Sequence, residues 1–303
     1  MNTESLCAPA PIERSCLFHL AENAELVAYP YHRSIERVNN VAHSLAGDDS
    51  ILPGSWRLAC DLAANAGEAA GLTTREQEGF LFDRKTGLVA YLFHHPENGE
   101  VRLVFGGTSA GEYPGELLRR SFLNSDYSDR QWLANFQNAF TKSLPDSYRQ
   151  ARDLTACVLM EMDNREDFQS QRLEVSGHSK GGGEACFSAL SQTEPLVALC
   201  FCSAELGHAA LAGISESNRR VATDRITHYL IKGDPLPRIG KWCRTPRHLG
   251  KIIELPAIHG WSSPVSRHDK FTRHVHHYVE KNVQKRCSKN ASNAPTKERL
   301  PGS

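Results

Sequence analysis

The sequence predicts an α/β fold in which helices cover both faces of a mostly parallel sheet. From residue 172 onward, apolar β-rich runs such as LEVSG and ITHYLIKG alternate with helical patterns such as KGGGEACFSALSQ, and parallel strands joined through helices produce this alternation. Before them, GLVAYLFHH and VRLVFGG, separated by the turn PENGE, predict two adjacent strands. With 303 residues, 40% of them hydrophobic, the chain can bury a large core.

Three segments are distinguished along the chain. Residues 1–50 hold several prolines and the polar run AGDDS, so we interpret them as an N-terminal extension that could serve as a secretion leader. The helical pattern WRLACDLAANAGEAAG opens the main domain, residues 51–286. Residues 287–303 are polar and basic, and this composition predicts a disordered tail.

The main domain continues with two helical patterns, QWLANFQNAFTKSL and SYRQARDLTACVLMEMDNR, whose apolar residues recur near helical spacing. The remaining elements are, in order, the strand LEVSG, the helix KGGGEACFSALSQ, the strand LVALCFCSA, the helix ESNRRVATD, the strands ITHYLIKG and KIIELP, and the helix KFTRHVHHYVEKNV.

Composition narrows the classes of function. Thirty-five basic residues balance thirty-five acidic ones, so the charge does not favour a nucleic-acid partner, and a small molecule or a lipid is the expected substrate. The nine cysteines are scattered and form no CxxC pair. This usage indicates buried, reduced thiols rather than a structural zinc site.

The N-terminus has acidic residues and no apolar run behind a basic start, which argues against a Sec-type signal peptide. No stretch approaches 18 consecutive apolar residues, the length a transmembrane helix needs. We therefore expect a cytoplasmic protein, or one delivered by a dedicated secretion system without a cleaved signal peptide, as a bacterial effector would be.

Ser179 is the first candidate catalytic residue. The run GHSKG fits G-x-S-x-G and lies between a predicted strand and a helix that begins near Lys180, which is where a nucleophile elbow must lie. Gly177 and Gly181 would allow strand and helix to pack closely around a strained serine. The backbone N–H of Lys180 would then face an oxyanion. The alternative is a glycine-rich turn with a capping serine.

A nucleophilic serine needs a histidine base, and the base needs an orienting carboxylate; in α/β-hydrolases the chain order is serine, acid, histidine. Asp234 follows an apolar strand in the run KGDPLP and is the candidate acid, with an ordinary Asp-Pro turn as the alternative. His259 and His268 are both candidate bases. The histidines of the terminal helical pattern are interpreted as a solvated face: His274, His276 and His277.

With these residues in place, the chain resembles the class 3 (fungal-type) lipases and their bacterial lipase-like relatives within the α/β-hydrolases, over roughly residues 75–280. Four runs match the family in order: VRLVFGGTSAGE the oxyanion strand and loop, ANFQNAF the next helix, SGHSKGG the elbow, and IKGDPLPRI the acid segment. Two residues depart from the pattern, because Gly106 replaces an arginine and Lys180 replaces an apolar residue.

The resemblance implies a serine esterase with lipase-like or phospholipase-like specificity and an acyl-enzyme intermediate. It favours His268 as the base, through a match of His268 to Phe271 with H-x-x-[FY], although AIHGW around His259 resembles the histidine-glycine turn of other hydrolases. The oxyanion donors would be Thr108 and Lys180. No cofactor and no metal are expected.

In the family, the segment after the oxyanion strand forms a lid, which here corresponds to residues 109–130. It mixes apolar side chains with Arg119 and Arg120, so it predicts transient contact with a membrane surface. Two alternative functions remain open. One is a non-catalytic lipase-like scaffold that binds partners, as in plant immune proteins, and the other is a thioesterase or an esterase for small esters.

Overall fold

The computed structural model describes residues 14–38, 51–75, 79–83, 85–107, 143–236, 248–258 and 264–292. Its strands are β1 (Arg57–Leu58), β2 (Thr73–Arg75), β3 (Phe80–Asp83), β4 (Leu88–His95), β5 (Glu100–Phe105), β6 (Arg172–His178), β7 (Val197–Phe201), β8 (Ile226–Ile231) and β9 (Lys251–Leu255). Its helices are α1 (Arg14–Val38), α2 (Cys60–Ala69), α3 (Asp146–Asp163), α4 (Lys180–Leu190), α5 (His208–Ala212), α6 (Glu216–Arg220), α7 (Ala222–Arg225), α8 (Pro264–Asp269) and α9 (Phe271–Ser292).

These strands form one mixed sheet in the order β2-β3-β4-β5-β6-β7-β8-β9, with β1 paired to β4. Strands β5 to β9 are parallel, and the pairs from β2 to β5 are antiparallel. The predicted α/β fold with a mostly parallel sheet is therefore confirmed. Parallel strands place their carboxyl ends at one edge, where α/β proteins bind their ligands.

Each face of the sheet is covered by helices, because side chains alternate between the two faces of a strand. Along β4, Ala90 and Leu92 join an apolar cluster with helices α2, α3 and α4, whereas Tyr91 and Phe93 join a second cluster with helices α1 and α9. None of the helices in the described ranges is long and apolar enough to cross a membrane.

Helix α1 belongs to the second cluster, so residues 14–38 differ from the expectation of an extension outside the main domain. Leu17, Leu20, Ala24 and Val27 are buried, and their spacing of three to four residues places them on one helix face. Pro30 lies inside the helix. This proline therefore does not prevent a helix, and the apolar stripe packs against the sheet.

Other element boundaries also differ from expectation. The run ESNRRVATD forms two short helices, α6 and α7, and the strands β2, at the edge of the sheet, and β3, next to it, were not predicted. Helix α9 continues to Ser292, into the segment assigned to a disordered tail. His274 is fully buried and accepts a hydrogen bond from the Ile258 N–H at 3.1 Å, so its interpretation as part of a solvated face was wrong.

Candidate active site

Ser179 occupies the turn between strand β6 and helix α4 with φ 59° and ψ −124°. A positive φ is sterically costly for any residue with a Cβ, and it persists here because the surrounding backbone holds it. The Ser179 carbonyl accepts hydrogen bonds from the N–H groups of Gly182 and Ala204, and its N–H donates to the Phe201 carbonyl at 3.1 Å. Such over-determined strain is typical of functional sites.

Two glycines make this turn sterically feasible. A Cβ on Gly177 would lie 2.3 Å from the Gly181 carbonyl oxygen, and a Cβ on Gly181 would lie 2.2 Å from the Phe105 carbonyl oxygen. Neither position has room for a side chain. Gly107, just after β5, is also close, since its Cβ would lie 3.3 Å from the Ser179 Cβ.

Asp234 and His268 meet at the edge of the sheet where Ser179 lies. Asp234 follows strand β8, and its Oδ2 and Oδ1 atoms lie 3.0 Å and 3.3 Å from Nδ1 of His268, which lies in helix α8. Both side chains are buried. Because a carboxylate only accepts, this contact places the proton of His268 on Nδ1. Oδ1 also accepts a hydrogen bond from the Leu236 N–H at 2.9 Å.

Cys202 contacts the same carboxylate. It follows strand β7 with a φ of 43°, and its N–H donates to the Tyr229 carbonyl at 2.8 Å. Burial, and after it the negative charge of the nearby Asp234, raises the pKa of the Cys202 thiol well above its usual value. The thiol is therefore protonated and is able to donate toward the acid.

His178, the residue before Ser179, contacts His268 and helix α1. Its Nε2 lies 3.0 Å from the His268 carbonyl oxygen, and its Nδ1 lies 2.7 Å from the Tyr31 hydroxyl. The imidazole rings of His178 and His268 are 4.4 Å apart between centroids. The Gly107 N–H donates to the Tyr31 hydroxyl at 3.1 Å. The elbow and the end of β5 thus meet at Tyr31 of helix α1, and His178 links them to helix α8.

The Lys180 side chain is fixed beside the elbow. Its Nζ lies 2.7 Å from Oε1 of Glu184 and donates to the Gly87 carbonyl at 3.0 Å. Glu184 is fully buried, and burial raises its pKa although Lys180 opposes that effect. The ammonium group of Lys180 is therefore held by a carboxylate one helical turn away and by a backbone carbonyl.

Within the described residues, one trio has potential metal-ligand atoms within 4.8 Å of one another, namely His178, Cys202 and His268. Both ring nitrogens of His178 are in hydrogen bonds, to Tyr31 and to the His268 carbonyl. Nδ1 of His268 and the thiol of Cys202 both contact Asp234. A cation here would have to displace these contacts, so the arrangement fits hydrogen bonding better than metal binding.

Several predicted site features lie outside the described residues: Thr108, His259 and residues 109–130. The structure brings Ser179, Asp234 and His268 to one sheet edge. Sequence reasoning missed Tyr31 and Cys202 and gave no role to His178, although His178 stands in the elbow run GHSKG. No sequence signal marks Tyr31, because its contacts arise only when helix α1 packs on the sheet.

Comparison with solved structures identifies fungal lipases. Rhizomucor miehei triacylglyceride lipase aligns with a TM-score of 0.52 and 16% identity, over 80% of this chain and 82% of the lipase. A deletion mutant of the same organism's lipase, in its propeptide complex, aligns with a TM-score of 0.53 and 16% identity, over 81% and 69%. No protein-family model and no curated protein sequence matches the chain. At this identity the likeness shows the fold alone, and the chain has the α/β-hydrolase fold.

Proposed function

We propose that this protein is a serine hydrolase that cleaves carboxylic esters of lipids, as a lipase or phospholipase does. The observation that carries the proposal is the buried Asp234–His268 pair at the sheet edge that bears the strained Ser179. A serine, a carboxylate and a histidine, in that order along the chain, form the catalytic triad of α/β-hydrolases.

In the first half of the reaction, Oγ of Ser179 attacks the ester carbonyl carbon while Nε2 of His268 takes the hydroxyl proton. Asp234 holds Nδ1–H of His268, which fixes the ring tautomer and stabilises the imidazolium. The backbone N–H of Lys180 and a donor from Thr108 stabilise the tetrahedral oxyanion. The intermediate collapses, the C–O bond to the alcohol breaks, and His268 returns its proton to the leaving alkoxide.

In the second half, water attacks the acyl-enzyme and His268 takes a proton from it. The second tetrahedral intermediate releases the carboxylic acid and restores the Ser179 hydroxyl. The net reaction is ester plus water to acid plus alcohol, and this sequence needs no cofactor.

Lipid esters are the proposed substrates because the solved structures of similar fold are lipases and because residues 109–130 combine apolar and basic side chains. Lipid binding needs apolar surface, which the apolar side chains of this segment could supply.

A fluorophosphonate probe tests the nucleophile. Labelling of the wild type that disappears in Ser179→Ala and persists in Ser188→Ala is the expected result. Ser188 is a matched control, because it is a buried serine of helix α4 whose hydroxyl donates only a local bond to the Ala185 carbonyl. A wild type that the probe does not label would contradict the hydrolase proposal and support a non-catalytic scaffold.

Incubation of the purified protein with a mixed lipid extract, followed by mass spectrometry, tests the substrate class. Free fatty acids released by the wild type and not by Ser179→Ala are expected. Turnover confined to acyl thioesters or to short soluble esters would overturn the lipid assignment while leaving the nucleophile intact.

A further inference from the structure

A directed chain of hydrogen bonds links helix α1 to both sides of the elbow. The Gly107 N–H can only donate, so the Tyr31 oxygen accepts from it. The His268 carbonyl can only accept, so Nε2 of His178 carries a hydrogen and donates to it. In a neutral imidazole Nδ1 is then an acceptor, and the Tyr31 O–H donates to it. One tautomer of His178 satisfies all three contacts.

The surroundings of His178 favour this neutral form. The side chain is 3% exposed, and burial, followed by the nearby His268, holds the pKa of His178 well below its usual value. The ring stacks on Phe271 with centroids 4.3 Å apart and meets Tyr31 edge-on at 5.5 Å. Packing therefore fixes the ring plane, and the hydrogen bonds fix its rotation.

Each end of this hydrogen-bond chain reaches a part of the proposed catalytic site. At one end the bond is to the backbone of His268, the proposed base. At the other end it is to Gly107, which precedes Thr108, the proposed oxyanion donor, and lies against Ser179. A shift of about 1 Å between such groups can lower the rate by about 10²-fold.

We propose that Tyr31 and His178 are positioning residues, which hold the backbone of His268 and the oxyanion loop at Gly107 in a fixed arrangement around Ser179. This inference rests on the proposed hydrolase function. A neutral His178 also suits the mechanism, because His268 becomes an imidazolium during turnover and a charged neighbour would oppose it.

The test compares Tyr31→Phe with Tyr29→Phe in the full chain, using a soluble nitrophenyl ester. Tyr29 is a matched control on the same helix, since its ring packs on Tyr91 and Phe93 away from His178. We expect Tyr31→Phe to lower kcat about tenfold, the scale of losing hydrogen bonds worth about 1.4 kcal/mol, with KM changed less than about twofold. Tyr29→Phe should show neither effect.

A second pair of variants separates positioning from packing. His178→Gln retains an amide that can donate to the His268 carbonyl, whereas His178→Leu has a similar volume and no donor. We expect the kcat of His178→Gln to be about fivefold or more higher than the kcat of His178→Leu, the scale of one hydrogen bond. Equal losses in both variants, or a loss in Tyr31→Phe that Tyr29→Phe matches, would overturn the inference.

Histidine ¹⁵N NMR supplies a readout that does not depend on turnover. The wild type near pH 7 should show His178 as the Nε2–H tautomer, and Tyr31→Phe should shift the ring resonances of His268. An Nδ1–H tautomer for His178, or unshifted His268 resonances, would refute the positioning chain. A wild type that neither hydrolyses esters nor reacts with fluorophosphonate overturns the proposed function alone. The hydrogen-bond chain through Tyr31 and His178 is then tested by these spectra.

Discussion

Nδ1 of His268 lies 3.0 Å from Oδ2 of Asp234, and this contact joins helix α8 to the end of strand β8. It selects His268 as the proposed base on geometric grounds. His259, the alternative base, lies outside the described residues, so a comparison of variants must decide between them.

His268→Ala is expected to lower kcat by about 10⁴-fold or more, the scale for loss of a triad histidine. Asp234→Asn should lose about 10³-fold to 10⁴-fold, because the amide supports the wrong tautomer of the ring. His259→Ala should retain near wild-type turnover and fluorophosphonate labelling. The reverse pattern, with an active His268→Ala and an inactive His259→Ala, would show that the base was assigned to the wrong histidine.

Cys202 should contribute to the position of the acid, because its protonated thiol lies near the Asp234 carboxylate and can donate to it. We expect Cys202→Ala to lower kcat about tenfold, as for loss of one hydrogen bond to a charged group. Cys202→Ser, which keeps a donor, should recover most of it. Cys186→Ala is the control, a buried thiol that makes only a long contact of 3.9 Å to the Leu249 carbonyl. Equal activity of the Ala and Ser variants at position 202 would rule out the donor role.

The elbow should tolerate no side chain at Gly181. A Cβ there would lie 2.2 Å from the Phe105 carbonyl oxygen, which is backbone and cannot move aside without shifting β5. We expect Gly181→Ala to destabilise the fold by about 3 kcal/mol or more, as overpacking of a tight site does. Gly213→Ala, whose nearest contact would be 3.4 Å, should change the free energy of unfolding by less than about 1 kcal/mol. Denaturant unfolding measures both, and similar values would contradict the steric account.

Acid should destabilise the fold through buried histidines. Burial, followed by the nearby His248, lowers the pKa of His228 to about 3, and the ring bonds to Ser203 and to the Leu249 carbonyl. Between about pH 6.5 and pH 3 the unfolded chain binds a proton at this site that the folded chain does not, so stability falls as pH falls, by about 1.4 kcal/mol per pH unit.

His228→Asn should therefore reduce the slope of unfolding free energy against pH across that range by the contribution of one bound proton, about 1.4 kcal/mol per pH unit. Urea unfolding at several pH values measures this slope. An unchanged slope in His228→Asn would mean that His228 takes up its proton in the folded state as readily as in the unfolded one.

The parallel half of the sheet could be predicted because its strands are short apolar runs between helical patterns, as in LEVSG followed by KGGGEACFSALSQ. The elbow was predictable for a related reason, since the close approach of Gly177 to Gly181 and of Gly181 to Phe105 leaves glycine as the only suitable residue at positions 177 and 181. Constraints of this kind can be recognised from a short run of residues in the sequence.

Long-range contacts left no such signal. Tyr31 lies 147 positions from His178, and only the packing of α1 on the sheet brings the two together. Cys202 has a positive φ where it lies near Asp234, and a cysteine gives no sequence signal for that backbone conformation. Sequence reasoning therefore found the residues with chemical motifs around them and missed those that support them from other elements.

The buried Lys180–Glu184 pair gives the last prediction. Glu184 is fully buried, and Lys180 is its cationic partner at 2.7 Å. Removing the cation in Lys180→Met leaves a carboxylate in an apolar setting, which we expect to destabilise the fold by about 3 kcal/mol. Glu184→Gln should cost less, because the Lys180 ammonium, 15% exposed, retains some contact with water and its bond to the Gly87 carbonyl.

The double variant Lys180→Met/Glu184→Gln decides whether the two side chains act as a pair. We expect it to be more stable than Lys180→Met alone, because the neutral amide no longer needs a cation, and the coupling free energy in the cycle should exceed about 1 kcal/mol. Burial holds the pKa of Glu184 above its usual range, so the destabilisation in Lys180→Met should also shrink at acidic pH, where the carboxyl group becomes protonated. Additive effects at every pH would show that Lys180 and Glu184 stabilise the elbow independently of one another.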